Sequence, residues 1–437
     1  MIRLSFITRN IFHTLLLLVT VQFSSQAYAL LEIEITQGVE SAMPVAITPV
    51  DGDIPIAATL LESVVYADLH RSGYFSIVDK QNYPQQKIQL DQVDYNRWRN
   101  MGIEALLTMR ANAAGENQVK VQFELYDLVR KNRALGHTVT VNKNQLRQVA
   151  HKISDLVFEK LTGIKGAFST RIAYISEAAS KNSKKYQLQI ADADGYNPRT
   201  IFSSSKQLMS PAWSPDGRRV AYVSFENERT EIYAQDISTG KRTKVSSQPG
   251  INSAPAWSPD GSFIALTLSS GGDPEIFVLE VESGKLRKLT NHYGIDTEAA
   301  WSPDGRFIYF TSNRSGSPQI YQVPFGGGTP KRLTFEGSYN AAPSVSADGK
   351  TIALVHRDNE GYRIGVLDLN SNTFKLLTDG VLDEAPSFAP NGSMIIYSTR
   401  HNNSTVLSAV SADGRVKQRL RLQKEKVREP SWSPFKR

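Results

Sequence analysis

The residues best suited to chemistry are scattered. Seven histidines (His13, His70, His137, His151, His292, His356 and His401) are spread over 437 residues. None has the His-Glu-x-x-His spacing that sets two imidazoles on one helix face as zinc ligands. No Gly-x-Ser-x-Gly occurs, so the strained turn that exposes a nucleophilic serine on an α/β-hydrolase sheet is missing. The absence of cysteine excludes disulfides, thiol nucleophiles and lipid attachment at an N-terminal cysteine. Asp-Gly pairs recur, but without the ligand spacing of an EF-hand loop, and beside Ser and Pro they read as turns. No catalytic residue, cofactor or metal ligand is assigned. The chain reads as a binding protein, not an enzyme.

The spacing of those Asp-Gly pairs is itself the strongest pattern. Trp213-Ser-Pro-Asp-Gly217, Trp257-Ser-Pro-Asp-Gly261 and Trp301-Ser-Pro-Asp-Gly305 are followed by Val345-Ser-Ala-Asp-Gly349, Phe388-Ala-Pro-Asn-Gly392 and a terminal Trp432-Ser-Pro434, every 43 or 44 residues. In the first copy residues 210–214, 220–225, 231–237 and 242–246 have strand composition. Four short strands per repeat of this length is the mark of a β-propeller. Residues 171–176, 188–192 and 199–203 supply the outer strands of a blade with no innermost strand of its own, whereas residues 428–434 are an innermost strand with nothing after it. Pairing the two closes a six-bladed ring and satisfies both open edges. Tryptophan once per blade, replaced by Val345 and Phe388, reads as packing between blades rather than as a base-stacking surface.

Residues 30–163 lack the repeat and alternate strands (31–36, 44–49, 75–78, 105–110, 119–125, 135–141) with helices (56–72, 92–100, 144–162). The last helix is amphipathic through Leu146, Val149, Ile153, Val157 and Leu161. The expected fold is therefore multidomain: a mixed α/β domain at 30–163, a link at 163–169, and an all-β six-bladed propeller at 164–437. Residues 1–29 carry Arg3 and Arg9, an apolar run at 11–21 and Ala27-Tyr28-Ala29, the three parts of a cleavable signal peptide. No downstream stretch is long and apolar enough to span a bilayer. The net charge of +7 with both signs interspersed is a weak footprint for nucleic acid.

Two segments make the pattern more specific. Phe158-Glu-Lys-Leu-Thr-Gly-Ile-Lys-Gly-Ala-Phe168 running into Thr170-Arg-Ile-Ala-Tyr174, and Leu208-Met-Ser-Pro-Ala-Trp-Ser-Pro-Asp-Gly217, resemble the TolB family of the Tol–Pal system. The resemblance covers essentially the whole chain after residue 29. It implies a periplasmic monomer that maintains outer-membrane integrity and invagination during division and serves colicin import. It implies two protein partners: Pal, the peptidoglycan-associated lipoprotein, at the propeller mouth, and TolA at the N-terminal segment. Other outer-membrane lipoproteins and porins fall within its reach; nucleic acid and membrane insertion do not. By position the TolA segment is residues 30–39, centred on Leu31, Glu32, Ile33, Glu34, Ile35 and Thr36. The alternation there suits either a strand added to a partner sheet or an edge strand of the first domain.

The Pal-binding mouth falls on the entrances to the innermost strands: Met209, Ser210, Ile251, Asn252, Ala254, Asp296, Thr297, Glu298, Asn340, Asp383, Glu384 and Glu429. The family's contact positions match Ile251, Asn252, Ala254 and Thr297, and the histidine usual in relatives is Ile251 here. Two rivals remain: a propeller holding a small solute, and the propeller cap of a prolyl-oligopeptidase-type peptidase, which would need the missing nucleophile turn. The basic run Arg415, Lys417, Arg419, Arg421, Lys424 reads as an outer strand whose charges deter edge pairing.

Overall fold

Each tryptophan repeat ends one strand and launches the next, and a computed structural model of the chain shows how. Ser214 Oγ donates to Asp216 Oδ1, which also accepts from the Arg218 amide at 3.0 Å, while the Gly217 amide donates to the Ser214 carbonyl at 2.9 Å. Gly217 adopts φ 66°, a region that strains any residue with a Cβ. The Ser–Asp contact recurs at Ser258–Asp260, Ser302–Asp304 and Ser346–Asp348. The Asp-Gly pairs are turn residues.

The structure describes residues 32–34, 42–84, 93–180, 183–270, 272–420 and 426–436. The expected signal peptide, together with Leu31, Ile35 and Thr36 of the N-terminal segment, lies outside them. Among the described residues no helix is long and apolar enough to cross a membrane. Six four-stranded antiparallel units form the propeller. The innermost strands of blades 2 to 6 are Leu208–Trp213, Asn252–Trp257, Asp296–Trp301, Tyr339–Val345 and Asp383–Phe388.

Blade 1 takes its innermost strand from the C-terminus. Lys426–Trp432 pairs antiparallel with Arg171–Ser180, setting Arg428 opposite Ile175 and Trp432 opposite Ile172. The Arg171 amide donates to Ser433 Oγ at 2.9 Å, and Trp432 Nε1 donates to Thr170 Oγ1 at 2.8 Å. The expected ring closure is present.

The repeated tryptophans pack between blades. Trp213 Nε1 donates to the Ser431 carbonyl of blade 1 and Trp301 Nε1 to the Ala256 carbonyl of blade 3, each at 3.0 Å. Arginines from the preceding blade lie over the rings, Arg171 at 5.1 Å from Trp213 and Arg219 at 4.6 Å from Trp257. Strands buried on both faces, such as Arg219–Ser224, carry near-continuous apolar runs between these layers.

The N-terminal α/β region begins with β1 (Glu32–Glu34) and continues through β2 (Met43–Ile47), α1 (Pro55–Arg71), β3 (Phe75–Ile77), α2 (Tyr95–Arg99), β4 (Ala105–Ala113), β5 (Gln118–Asp127), β6 (Asn132–Asn142) and α3 (Leu146–Thr162). Its sheet runs β3-β2-β4-β5-β6, with β2 parallel to both neighbours. α1 and α3 cover one face through Leu61, Val65, Ile153, Val157 and Phe158; Tyr83, Trp98 and Ile103 cover the other.

This region sits at the end of the ring where the Asp-Gly turns lie. Asn391, in the blade 6 turn, donates to the Lys165 carbonyl at 2.9 Å. Gly73, at φ 73° after α1, approaches Val416 so closely that a Cβ would stand 2.0 Å from a methyl carbon. The segment at 163–169 packs tightly: Phe168 lies edge-on against Phe158, and its amide donates to Asp155 at 2.7 Å.

Two expectations are corrected. β1 is not an edge strand of the first domain: it is a fifth strand on blade 6, with Glu32 opposite Arg419 and Glu34 opposite Lys417. The basic strand Lys417–Arg419 therefore carries a paired edge rather than deterring one, and Arg421 and Lys424 of the basic run lie outside the described residues.

Trp213→Ala is expected to cost about 3–5 kcal/mol, and deletion of residues 426–437 to cost more, in urea unfolding followed by circular dichroism. A second test concerns acid. Hydrogen bonds from Ser302 and from the Arg306 amide and side chain hold Asp304 down at about 2, and Asp260 is likewise lowered by Ser258 and the Ser262 amide. A depressed carboxylate contributes stability above its unfolded value and loses it as pH falls through the folded value. The share of stability held by these turn carboxylates is therefore expected to be lost below about pH 4, lowering the thermal midpoint there.

Candidate protein-binding mouth

The innermost strands share an irregularity that shapes the channel. In every blade the register slips by one residue two or three positions into the strand, between Met209 and Ala212, Ser253 and Ala256, Thr297 and Ala300, Ala341 and Ser344, Glu384 and Ser387, and Arg428 and Ser431. The bulged residue is Ser210, Ala254, Glu298, Ala342, Ala385 or Glu429, each at φ between 47° and 55°. None is glycine and none is β-branched. In five blades the next residue is proline, which has no amide to give to a ladder and so suits a bulge.

These six residues ring one opening of the propeller, a space of about 680 Å³ also lined by Met209, Tyr339, Tyr362, Glu384 and Arg428. Two of the bulge glutamates link neighbouring blades. Glu429 of blade 1 accepts from the Ser210 amide of blade 2. Glu298 of blade 4 accepts from the Ala342 amide of blade 5 at 2.9 Å and from Thr311 Oγ1 at 2.8 Å. Burial pushes the Glu429 and Glu384 carboxyls up, an effect that the nearby Arg428 opposes.

The structure divides the mouth residues expected from sequence. Met209, Ser210, Ala254, Glu298, Glu384 and Glu429 line the opening. Ile251 stands on the rim, with its amide held by Ser269 Oγ at 2.8 Å. Thr297 is half-buried beside Thr267, their hydroxyls 3.2 Å apart. Asn252, Asp296, Asn340 and Asp383 are buried beneath the rim and do not offer side chains to a partner. Asn252 is bonded to Ser246 and the Gln248 amide, Asp296 is ion-paired with Arg314 at 2.5 Å, and Asn340 bonds Gln319 and His356. Asn252 and Asn340 anchor the start of their innermost strands by bonding the backbone of the incoming loop.

Sequence reasoning missed the rim's apolar side chains. Tyr293 is 81% exposed, Val381 69% and Phe335 66%, and Ile295 is also largely exposed. With Ile251 they occupy four successive connections entering the innermost strands of blades 3 to 6. Large apolar residues inside polar connections were the available signal, because nothing in a turn requires them. Exposed aromatic residues grouped around a concavity mark a surface that becomes buried against another macromolecule.

Away from the mouth, Asp68, His151 and Asp194 bring potential ligand atoms close together. The two His151 ring nitrogens face different carboxylates, so one ion would engage only one of them, and Arg71 and Arg147 already pair with the acids. That chemistry is ion pairing.

Comparison with known proteins fits this architecture. Residues 31–134 match the TolB amino-terminal domain family and residues 158–436 the TolB beta propeller domain family. A Tol-Pal system protein TolB from Thioalkalivibrio sulfidiphilus is 61% identical over 412 residues, spanning 94% of this chain and 95% of the relative. The Tol-Pal system protein TolB of Nitrosococcus oceani is 56% identical over 421 residues, 96% and 97% of the two chains. The crystal structure of TolB from Acinetobacter baumannii superposes with a TM-score of 0.86 at 42% identity, covering 93% of this chain and all of that one.

The ring of bulges can be tested through strain. Ala342→Gly is expected to leave stability unchanged or raise it by up to about 1 kcal/mol, because a left-handed residue with a Cβ is strained by about 1–2 kcal/mol and glycine is not. Ala342→Val is expected to lower stability by about 1–3 kcal/mol, read by urea unfolding. With both family matches, relatives covered over nearly their full length and a superposable TolB crystal structure in agreement, the chain belongs to the TolB family and is a component of the Tol-Pal system.

Proposed function

We propose that this chain is a periplasmic, non-enzymatic adaptor of the Tol–Pal system that binds Pal at the propeller mouth and TolA through its N-terminal segment. In that role it supports outer-membrane integrity and invagination during division. The observation that carries the reading is the rim of Ile251, Tyr293, Ile295, Phe335 and Val381 around an opening lined by Glu298, Glu384 and Glu429. Apolar anchors give a protein partner area to bury. The acids and Arg428 inside set which charges it can present.

The second partner suits the opposite behaviour. Among the described residues β1 meets blade 6 in three register pairs at an outer edge. So short a pairing is exchanged readily for the edge of a partner's sheet, where main-chain hydrogen bonds give affinity and alternate side chains give specificity.

Calorimetry with the periplasmic domain of Pal tests the mouth. Tight binding is expected. Tyr293→Ala and Phe335→Ala are each expected to weaken it about tenfold or more, and a bulky residue at Ala254 or Thr297 to weaken it as well. Unchanged affinity in all four variants would remove the mouth assignment. Deleting residues 30–39 is expected to abolish TolA binding and spare Pal binding; loss of both would instead signal unfolding. Labelling by a fluorophosphonate, or turnover of a broad peptidase panel, would refute the non-enzymatic reading.

A further inference from the structure

The contact between the α/β region and the propeller contains a cluster of buried charge. His151, on α3, is 2% exposed and Asp68, on α1, 1%. His151 Nδ1 lies 2.7 Å from Asp68 Oδ2. Its other nitrogen, Nε2, is buried with no hydrogen-bond partner and lies 3.9 Å from Asp194 Oδ2, on the blade 1 connection between Ser183–Asp192 and Arg199–Ser204. One imidazole thus stands between a carboxylate of its own region and a carboxylate of the propeller.

The charged groups facing this imidazole come from every element around it. Asp68 and Arg71 reach it from α1, paired with each other at 2.9 Å. Arg147, one turn earlier on α3, is bonded to Asp194, lies 3.6 Å from Asp192 and stacks 3.8 Å over Tyr196. Asp192 and Asp194 approach from blade 1, and Lys436 acts on Asp192. Asp155, further along α3, is bonded to Ser169 and the Phe168 amide, so its carboxylate is already satisfied.

The neutral ring is poorly served here. With its proton on Nδ1, bonded to Asp68, the Nε2 lone pair points at the Asp194 carboxylate, two acceptors across an interface. A buried acceptor without a donor is costly. With protons on both nitrogens the ring donates to Asp68 and is drawn towards Asp194, and closing the 3.9 Å gap tightens the contact.

We propose that Asp68, His151 and Asp194 form a proton-controlled latch between the α/β region and the propeller, closed when the imidazole carries both protons and loosened when it loses one. The electrostatics agree in sign. Burial alone lowers the affinity of His151 for its proton, but the charge and hydrogen bond of Asp68, with the charge of Asp194, outweigh it and raise the value above 6.5. Asp194 is lowered despite its burial by His151, Arg71 and Arg147, so it stays ionised. A histidine raised in the folded state contributes its full stabilisation below the unfolded value of about 6.5 and loses it as pH rises through the folded value. The latch therefore closes towards acid and loosens towards alkali.

Absence of cysteine allows two spin labels to be placed without background, at Asn132→Cys on β6 and Lys241→Cys on blade 2, both exposed. In the mature full-length chain the distance distribution between them is expected to widen from about pH 5.5 to about pH 8.5. Selective ¹³C-histidine labelling is expected to show His151 titrating above 6.5, and in Asp194→Asn to show a midpoint lower by about half a unit or more. His151→Gln keeps a donor to Asp68 but cannot titrate, and its distribution is expected to be the same at both pH values. Asp194→Asn serves the same comparison if His151→Gln fails to fold by circular dichroism. A midpoint at or below 6.5, a wild-type distribution that ignores pH, or a pH response that persists in the folded variant would each overturn the latch.

Discussion

The pairing of Lys426–Trp432 with Arg171–Ser180 is the constraint on which the rest of the molecule depends. A propeller blade is a small twisted sheet that buries both faces against its neighbours, so an array left open would expose one apolar face and one unpaired edge at each end. The C-terminal strand removes both defects at once. It supplies the missing inner strand of blade 1 and places Trp432 against Thr170, while its Ser431 carbonyl receives Trp213 of blade 2. Because the pairing joins positions more than 240 residues apart, the ring completes only when nearly the whole chain is in place.

Closure also explains how the mouth can be shaped without glycine. Six bulged residues hold left-handed backbone at a cost of about 1–2 kcal/mol each, and a rigid ring of stacked blades spreads that cost. Glu298 and Glu429 recover part of it by taking amides from the adjacent blade, so the residues that line the opening also fasten the blades together. The apolar rim lies outside this network, on connections whose backbone is anchored by buried polar residues such as Asn252 and Asn340. Shape and stickiness are thus carried by different residues.

At the opposite end the ring meets the α/β region through ion pairs, a stacked arginine and a buried histidine as well as through apolar contacts such as Gly73 on Val416. Such a contact depends on charge state and geometry to a degree that an apolar one does not, because a buried charge without its partner is far more costly than a lost methyl contact. β1 joins blade 6 edge-on. The two ends of the molecule therefore differ: the mouth is a ring of strained bulges, and the junction carries buried charge.

Much of this was legible in the residues themselves. The 43- or 44-residue spacing, the Ser-Pro-Asp-Gly turns and the unmatched first and last strands determined blade number and closure, because turn chemistry and strand alternation are local properties that survive without knowledge of distant contacts. The helices and strands of the α/β region followed from periodicity for the same reason. The tertiary structure alone decided which mouth residues face outwards. Asn252, Asp296, Asn340 and Asp383 share positions in the repeat with no sign of their burial, and Tyr293, Phe335 and Val381, although out of place in polar connections, show no shared surface until six connections converge. It alone decided that β1 belongs to blade 6, and that Asp68, His151 and Asp194 meet, since residues 83 and 43 positions apart in the chain become neighbours only through the packing of two helices against a blade.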